Sequence, residues 1–106
     1  RMIKQDTESF LPWAKQDYAC IIFNLHTPHT PDGIEQSKQA FRRLIDYTIE
    51  RDGSYYMTYH RYARQDQLLA CYPQFPEFLE LKRKYDPDER FQSDWYRHYK
   101  GMFSSN

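Results

Sequence analysis

Three groups of residues have the types and spacing to do chemistry. Residues 53–60, GSYYMTYH, place Tyr56, Tyr59 and His60 where an alternating segment runs into a loop. Phenols and an imidazole so placed can hydrogen-bond a planar ligand; the plain alternative is a tyrosine-rich strand packed against another layer. Residues 18–25, YACIIFNL, carry Cys20 in mid-segment. No helix N-terminus precedes this thiol to lower its pKa, so it reads as a small apolar group lining a pocket rather than as a nucleophile. Residues 26–29, HTPH, put two imidazoles close in sequence to Cys20. That could begin a zinc site, but no second Cys or His pair follows at a workable spacing, and the loop is read as solvated and metal-free. No residue is assigned a catalytic role.

Secondary structure must position these groups. The run 18–25 has the β-rich, apolar pattern of a mostly buried strand, with Tyr18, Cys20, Ile22 and Asn24 on one face and Ala19, Ile21, Phe23 and Leu25 on the other. Thr30 then caps a helix that has Pro31 at its first position and Asp32 against its dipole. It runs to about residue 52 and stops at Gly53. Ile34, Phe41, Leu44, Ile45, Thr48 and Ile49 form its apolar stripe, while Glu35, Lys38, Arg42, Arg43, Asp46 and Glu50 face water. Residues 54–60 alternate as a second strand. Short helices follow over 64–72, ended by Pro73, and over 75–85, with Phe78, Leu79, Lys82 and Tyr85 on one side. Residues 1–16 read as an incomplete strand end followed by a loop. After the Asp86-Pro87-Asp88 turn the tail is expected to wrap irregularly. Its Phe91, Trp95, Tyr96, Tyr99 and Phe103 are expected to be buried against something larger than 106 residues can supply.

Composition narrows the class. The chain is 18% aromatic, with ten Tyr and only three Gly, and such an excess of amphipathic rings collects where surfaces meet other surfaces or ligands. Fifteen basic and fifteen acidic residues cancel, so no net field gathers nucleic acid or an anionic membrane. The mixed aromatic and basic run 95–100, WYRHYK, is accordingly read as packing rather than as an RNA surface. Two cysteines make no disulfide framework, and no signal peptide or membrane-spanning run is evident, so a reducing, cytoplasmic compartment is expected. An Arg ahead of the first Met suggests a fragment.

A resemblance adds to this reading. The segment 53–99 resembles the C-terminal region of FAD-linked oxidases of the vanillyl-alcohol-oxidase type, and within them decaprenylphosphoryl-ribose oxidase-like enzymes. The shared features are Gly53-x-x-Tyr56, Tyr72-Pro73 after a short helix, Lys84-x-Asp86-Pro87 and Phe91-x-Ser93-Asp94, all in one register without gaps. YACIIFN likewise resembles the substrate-domain strand that carries a cysteine above the flavin, with Cys20 at that position. The resemblance covers about 80 residues, strongly after Gly53 and weakly before Tyr18.

It implies an α+β fragment of a two-domain enzyme. Residues 1–53 would end a cap or substrate domain built on an antiparallel sheet with helices, and 54–106 would be the chain's return to the FAD-binding domain. The parent would oxidise a sugar, lactone or other hydroxyl-bearing substrate by hydride transfer to FAD. The N-terminal part, where the family binds the FAD diphosphate, would lie outside this chain, leaving the fragment inactive alone. Tyr56, with Tyr59 and His60, would contact the cofactor, and Tyr18, Cys20 and Ile22 would face the substrate. Where the closest relatives place a lysine beside the flavin, this sequence has Tyr59, which can donate a hydrogen bond but supplies no permanent positive charge, so the resemblance implies that His60 or a residue of the rest of the parent provides it. The alternative of a different class is a small aromatic-rich protein-interaction module using the 91–103 surface.

Overall fold

The longest element forms where the capping residues place it. In the computed structural model, which describes residues 1–104, helix α1 spans Pro31–Ile49. The Thr30 hydroxyl accepts from the Gly33 N–H at 3.1 Å. At the other end Asp52, not Gly53, takes the left-handed conformation (φ 55°). The Asp52 N–H bonds the Ile49 carbonyl at 3.2 Å and the Gly53 N–H bonds that of Thr48 at 2.8 Å, the paired closure of a Schellman turn. Gly53 is needed there for another reason. A Cβ on it would lie 2.6 Å from Thr48 Cγ2 and 3.0 Å from the Thr48 carbonyl oxygen. Gly53→Ala should therefore cost about 1–3 kcal/mol, as overpacking does, and adding Thr48→Ser should recover most of it by removing the offending methyl. Thermal melts of the single and double variants check this; a Gly53→Ala chain as stable as the wild type would contradict it.

The rest of the fold is three shorter helices and one small sheet. Strand β1, Met2–Ile3, pairs antiparallel with β2, Tyr18–Ala19, matching Met2 with Ala19 and Ile3 with Tyr18. Helix α2 covers Gln65–Cys71, α3 covers Phe75–Tyr85 and α4 covers Asp94–Ser104. Among the described residues this is a small α+β fold with four helices and a two-stranded sheet. No described helix is long and apolar enough to cross a membrane.

Both expected long strands are corrected. Of residues 18–25 only Tyr18 and Ala19 are strand, and residues 54–60 form none. Alternation marks a face, but a strand also needs a neighbour for its backbone groups, and the described residues supply one for only two positions. Ile21, Ile22, Phe23 and Leu25 are consequently exposed rather than buried. The end of this segment does dock on α1: the hydroxyls of Thr27 and Ser37 are 2.6 Å apart, and Gly33 packs directly beneath Pro28.

The tail is the larger correction, because it is helical. Trp95, Tyr96, Tyr99 and Phe103 fall at spacings that share a helix face, and the Ser93 hydroxyl accepts from the Tyr96 N–H at 3.1 Å to start the turn. Tyr96 and Tyr99 are buried within this chain, so these aromatics do not require a larger partner; Phe91 alone stays outside, 80% exposed. They close a core with Met57, Leu68, Cys71, Tyr72, Phe75 and Leu79. The 86–93 turn is bolted to the helices on both sides. The Asp86 carboxylate accepts from the N–H groups of Arg90 (2.9 Å) and Phe91 (3.0 Å) and pairs with Lys82. Lys82 first, then these backbone donors, hold Asp86 down at a pKa of about 2. The Glu89 carboxylate receives Lys100 Nζ at 2.6 and 2.7 Å and the Tyr96 hydroxyl at 2.7 Å, and Tyr96 is pushed up to about 12 chiefly by that carboxylate. On α3, Tyr85 leaves the expected stripe and lies exposed.

Candidate functional site

The six residues expected to face ligand do not gather at one place. Tyr56 and Tyr59 stay together, their ring centroids 5.4 Å apart at 67°. Tyr56 is 45% and Tyr59 86% exposed, and neither hydroxyl bonds another described residue. Trp13, which the sequence did not single out, packs on the other side of Tyr56 at 5.3 Å and 53°. Three polar-tipped rings thus share one surface.

His60 turns away from that surface into α1. Its ring stacks on Tyr62 at 4.7 Å and 20° and lies 4.1 Å from Phe41, and its Nδ1 is buried without a partner. Burial lowers its pKa, so the ring is kept from carrying charge. It cannot stand in for a fixed cation beside Tyr59. His98 is lowered too, first by burial and then by Arg61 and Lys38. Since an unfolded imidazole titrates at about 6.5 and both folded ones titrate lower, the unfolded chain takes up protons first as pH falls. Stability is therefore complete above about pH 6.5 and should drop as pH falls from there toward the folded values. His60→Gln should flatten that slope in melts run from neutral to mildly acidic pH, and an unchanged slope would contradict the burial of His60.

Tyr18, Cys20 and Ile22 are likewise spread out. The Tyr18 hydroxyl is committed to the Asp52 carbonyl at 2.9 Å. Its ring lines an open groove of about 410 Å³ with Lys15, Gln16, Ile49, Asp52 and Gly53. Cys20 is half-buried and its N–H bonds the Arg1 carbonyl at 2.7 Å, continuing the β1–β2 pairing by one residue. Ile22 is 69% exposed beyond the sheet. His26 and His29 lie exposed in the loop before α1.

The thiol that burial perturbs is Cys71. It lies at the end of α2 beside Ser54, Tyr55 and Tyr72, and loss of water pushes its pKa up, which keeps it protonated and unreactive. Burial also raises Tyr55, Tyr72 and Tyr99. The Tyr72 hydroxyl donates to the Tyr55 carbonyl, so these groups serve the core.

No protein-family model matches the chain, and no curated protein or solved structure matches it.

Proposed function

We propose that this chain is the C-terminal part of an FAD-dependent oxidoreductase that oxidises a sugar, lactone or other hydroxyl-bearing substrate. The observation that carries the reading is the exposed Tyr56–Tyr59 ring pair, its hydroxyls uncommitted, on the segment that resembles the FAD-linked oxidases. Two free phenols fit the acceptor edge of an isoalloxazine ring. The uncovered Ile21, Ile22, Phe23 and Leu25 support the same reading, since a run of this kind is what the remaining sheet of a cap domain would cover. The interaction-module alternative has less to work with: Tyr96 and Tyr99 of its 91–103 surface are buried.

Bound FAD would supply the hydride acceptor, and the diphosphate would be held by the N-terminal part of the parent. This chain's contribution is narrower. Tyr56 and Tyr59 would orient the ring and donate hydrogen bonds to it, and Cys20 and the exposed Ile22 would face the substrate. Neither Tyr59 nor the neutral His60 brings a positive charge. Tyr59→Lys in the complete protein should therefore raise the flavin reduction potential, because a nearby cation would favour the anionic hydroquinone over the neutral oxidised ring. Potentiometric titration of both proteins measures it. An unmoved potential, in a variant that folds and binds FAD, would place Tyr59 away from the flavin.

A further inference from the structure

We infer that Trp13 is a positioning residue for Tyr56 at the flavin-facing surface, an inference that rests on the oxidoreductase reading proposed above. Trp13 is 43 positions from Tyr56 in sequence, in the part expected to belong to the cap, whereas Tyr56 belongs to the expected FAD-binding part. The structure brings the indole to 5.3 Å from the Tyr56 ring, and the Tyr56 ring in turn to 5.4 Å from that of Tyr59.

The indole is held there by the loop that carries it. The Phe10 carbonyl accepts from Gln74 Nε2 at 2.7 Å, and Lys15 Nζ donates to the Ala70 carbonyl at 3.3 Å, so the loop is tied to both ends of the α2–α3 connection. Between these ties Leu11 packs against the core and Ala14 is buried. With its flanking positions fixed, Trp13 has little freedom, and it limits in turn the rotamers open to Tyr56.

The three rings lie apart from the aromatic core. Phe75, Tyr72 and Tyr99 are fully buried and belong to one core cluster; Trp13, Tyr56 and Tyr59 lie outside it. The two phenolic hydroxyls make no hydrogen bond to another described residue, so two donors stand on exposed rings while the half-buried Trp13 backs one of them. Donors on tilted rings complement a flat heteroaromatic edge rich in acceptors, as an isoalloxazine edge is, better than they complement an aliphatic partner.

The test is a double-mutant cycle on the complete, FAD-loaded protein, with FAD affinity as the readout and thermal melts as the folding control. Trp13→Leu keeps an apolar side chain there but removes the aromatic face, and Tyr56→Phe removes only the hydroxyl. Each should weaken FAD binding roughly two- to tenfold, the range of an aromatic pair, and the double variant should bind no worse than the weaker single one. Trp13→Phe, which keeps a ring against Tyr56, should bind within about twofold of wild type. Wild-type affinity in Trp13→Leu, or losses that multiply in the double variant, would overturn the positioning role and leave the oxidoreductase reading standing. A folded complete protein that takes up no FAD would overturn that reading and this inference with it.

Discussion

Phe75→Ala should remove a large share of the chain's stability. Phe75 has no exposed surface, and its ring meets those of Phe78 (5.6 Å), Trp95 (5.7 Å), Tyr99 (5.3 Å) and Phe103 (5.6 Å). It is the point at which α3 and α4 lock together. Truncating a buried Phe to Ala costs about 3–5 kcal/mol in lost transfer and cavity terms. A domain of this size holds about 5–15 kcal/mol in total. At about 4–8 °C per kcal/mol, Tm should fall by roughly 12–40 °C, whereas Phe75→Leu, which keeps most of the volume, should lose far less. Circular dichroism melts decide it, and a drop of only a few degrees would show that α4 does not depend on this ring.

The second large effect is expected at Gln67, which joins α1 to α2. Its side chain is almost wholly buried. The amide oxygen accepts from the Arg64 N–H at 2.9 Å, while the amide nitrogen donates to the Arg42 carbonyl at 2.9 Å and to Asp46 Oδ1 at 2.8 Å. Arg64 Nη2 reaches the same Asp46 oxygen at 3.1 Å. Gln67→Leu preserves the bulk and removes all three bonds, stranding a buried N–H and stripping one donor from a carboxylate. The loss should be about 2–4 kcal/mol. Gln67→Glu should be worse at neutral pH, because it sets a second carboxylate against Asp46, and should recover as acid neutralises the introduced side chain. A Gln67→Leu chain as stable as wild type would mean that these bonds contribute nothing net.

This polar junction also shows what the sequence could convey. Charge and position put Arg42 and Asp46 on the wet side of α1, yet the Arg42 Nε donates to the Tyr62 carbonyl at 2.7 Å and Asp46 takes bonds from α2. Periodicity separates charged from apolar faces but does not reveal that a charged rim has been given a partner. The helices themselves were legible wherever a local signal sets the boundary: Thr30-Pro31 opens α1, Pro73 lies just past α2, and α3 spans the expected 75–85. The strands failed for the opposite reason. Pairing is non-local, and nothing in YACIIFNL or SYYMTYH says whether a neighbouring strand is present.

Helix α4 was missed although its signals were available. Ser93 is a good cap, and the tail aromatics at 95, 96, 99 and 103 repeat with helical spacing, although their density also fits an irregular tail against a partner. At the candidate site, Tyr56 and Tyr59 were legible as polar-tipped rings on one segment. Trp13 was not, because a loop tied down by side-chain bonds to Phe10 and from Lys15 leaves no pattern in the sequence. The turn of His60 into α1 was hidden in the same way, being decided by Phe41 and Tyr62.

The most direct test of the oxidoreductase reading is anaerobic titration of the complete protein, purified with its cofactor, against a panel of sugars, polyols and lactones. The expected result is one FAD released per chain on denaturation and, before that, full bleaching of the oxidised flavin spectrum by at least one hydroxyl-bearing substrate, with one equivalent of carbonyl product formed. A folded complete protein that carries no flavin, or whose flavin none of these substrates reduces while dithionite does, would contradict it.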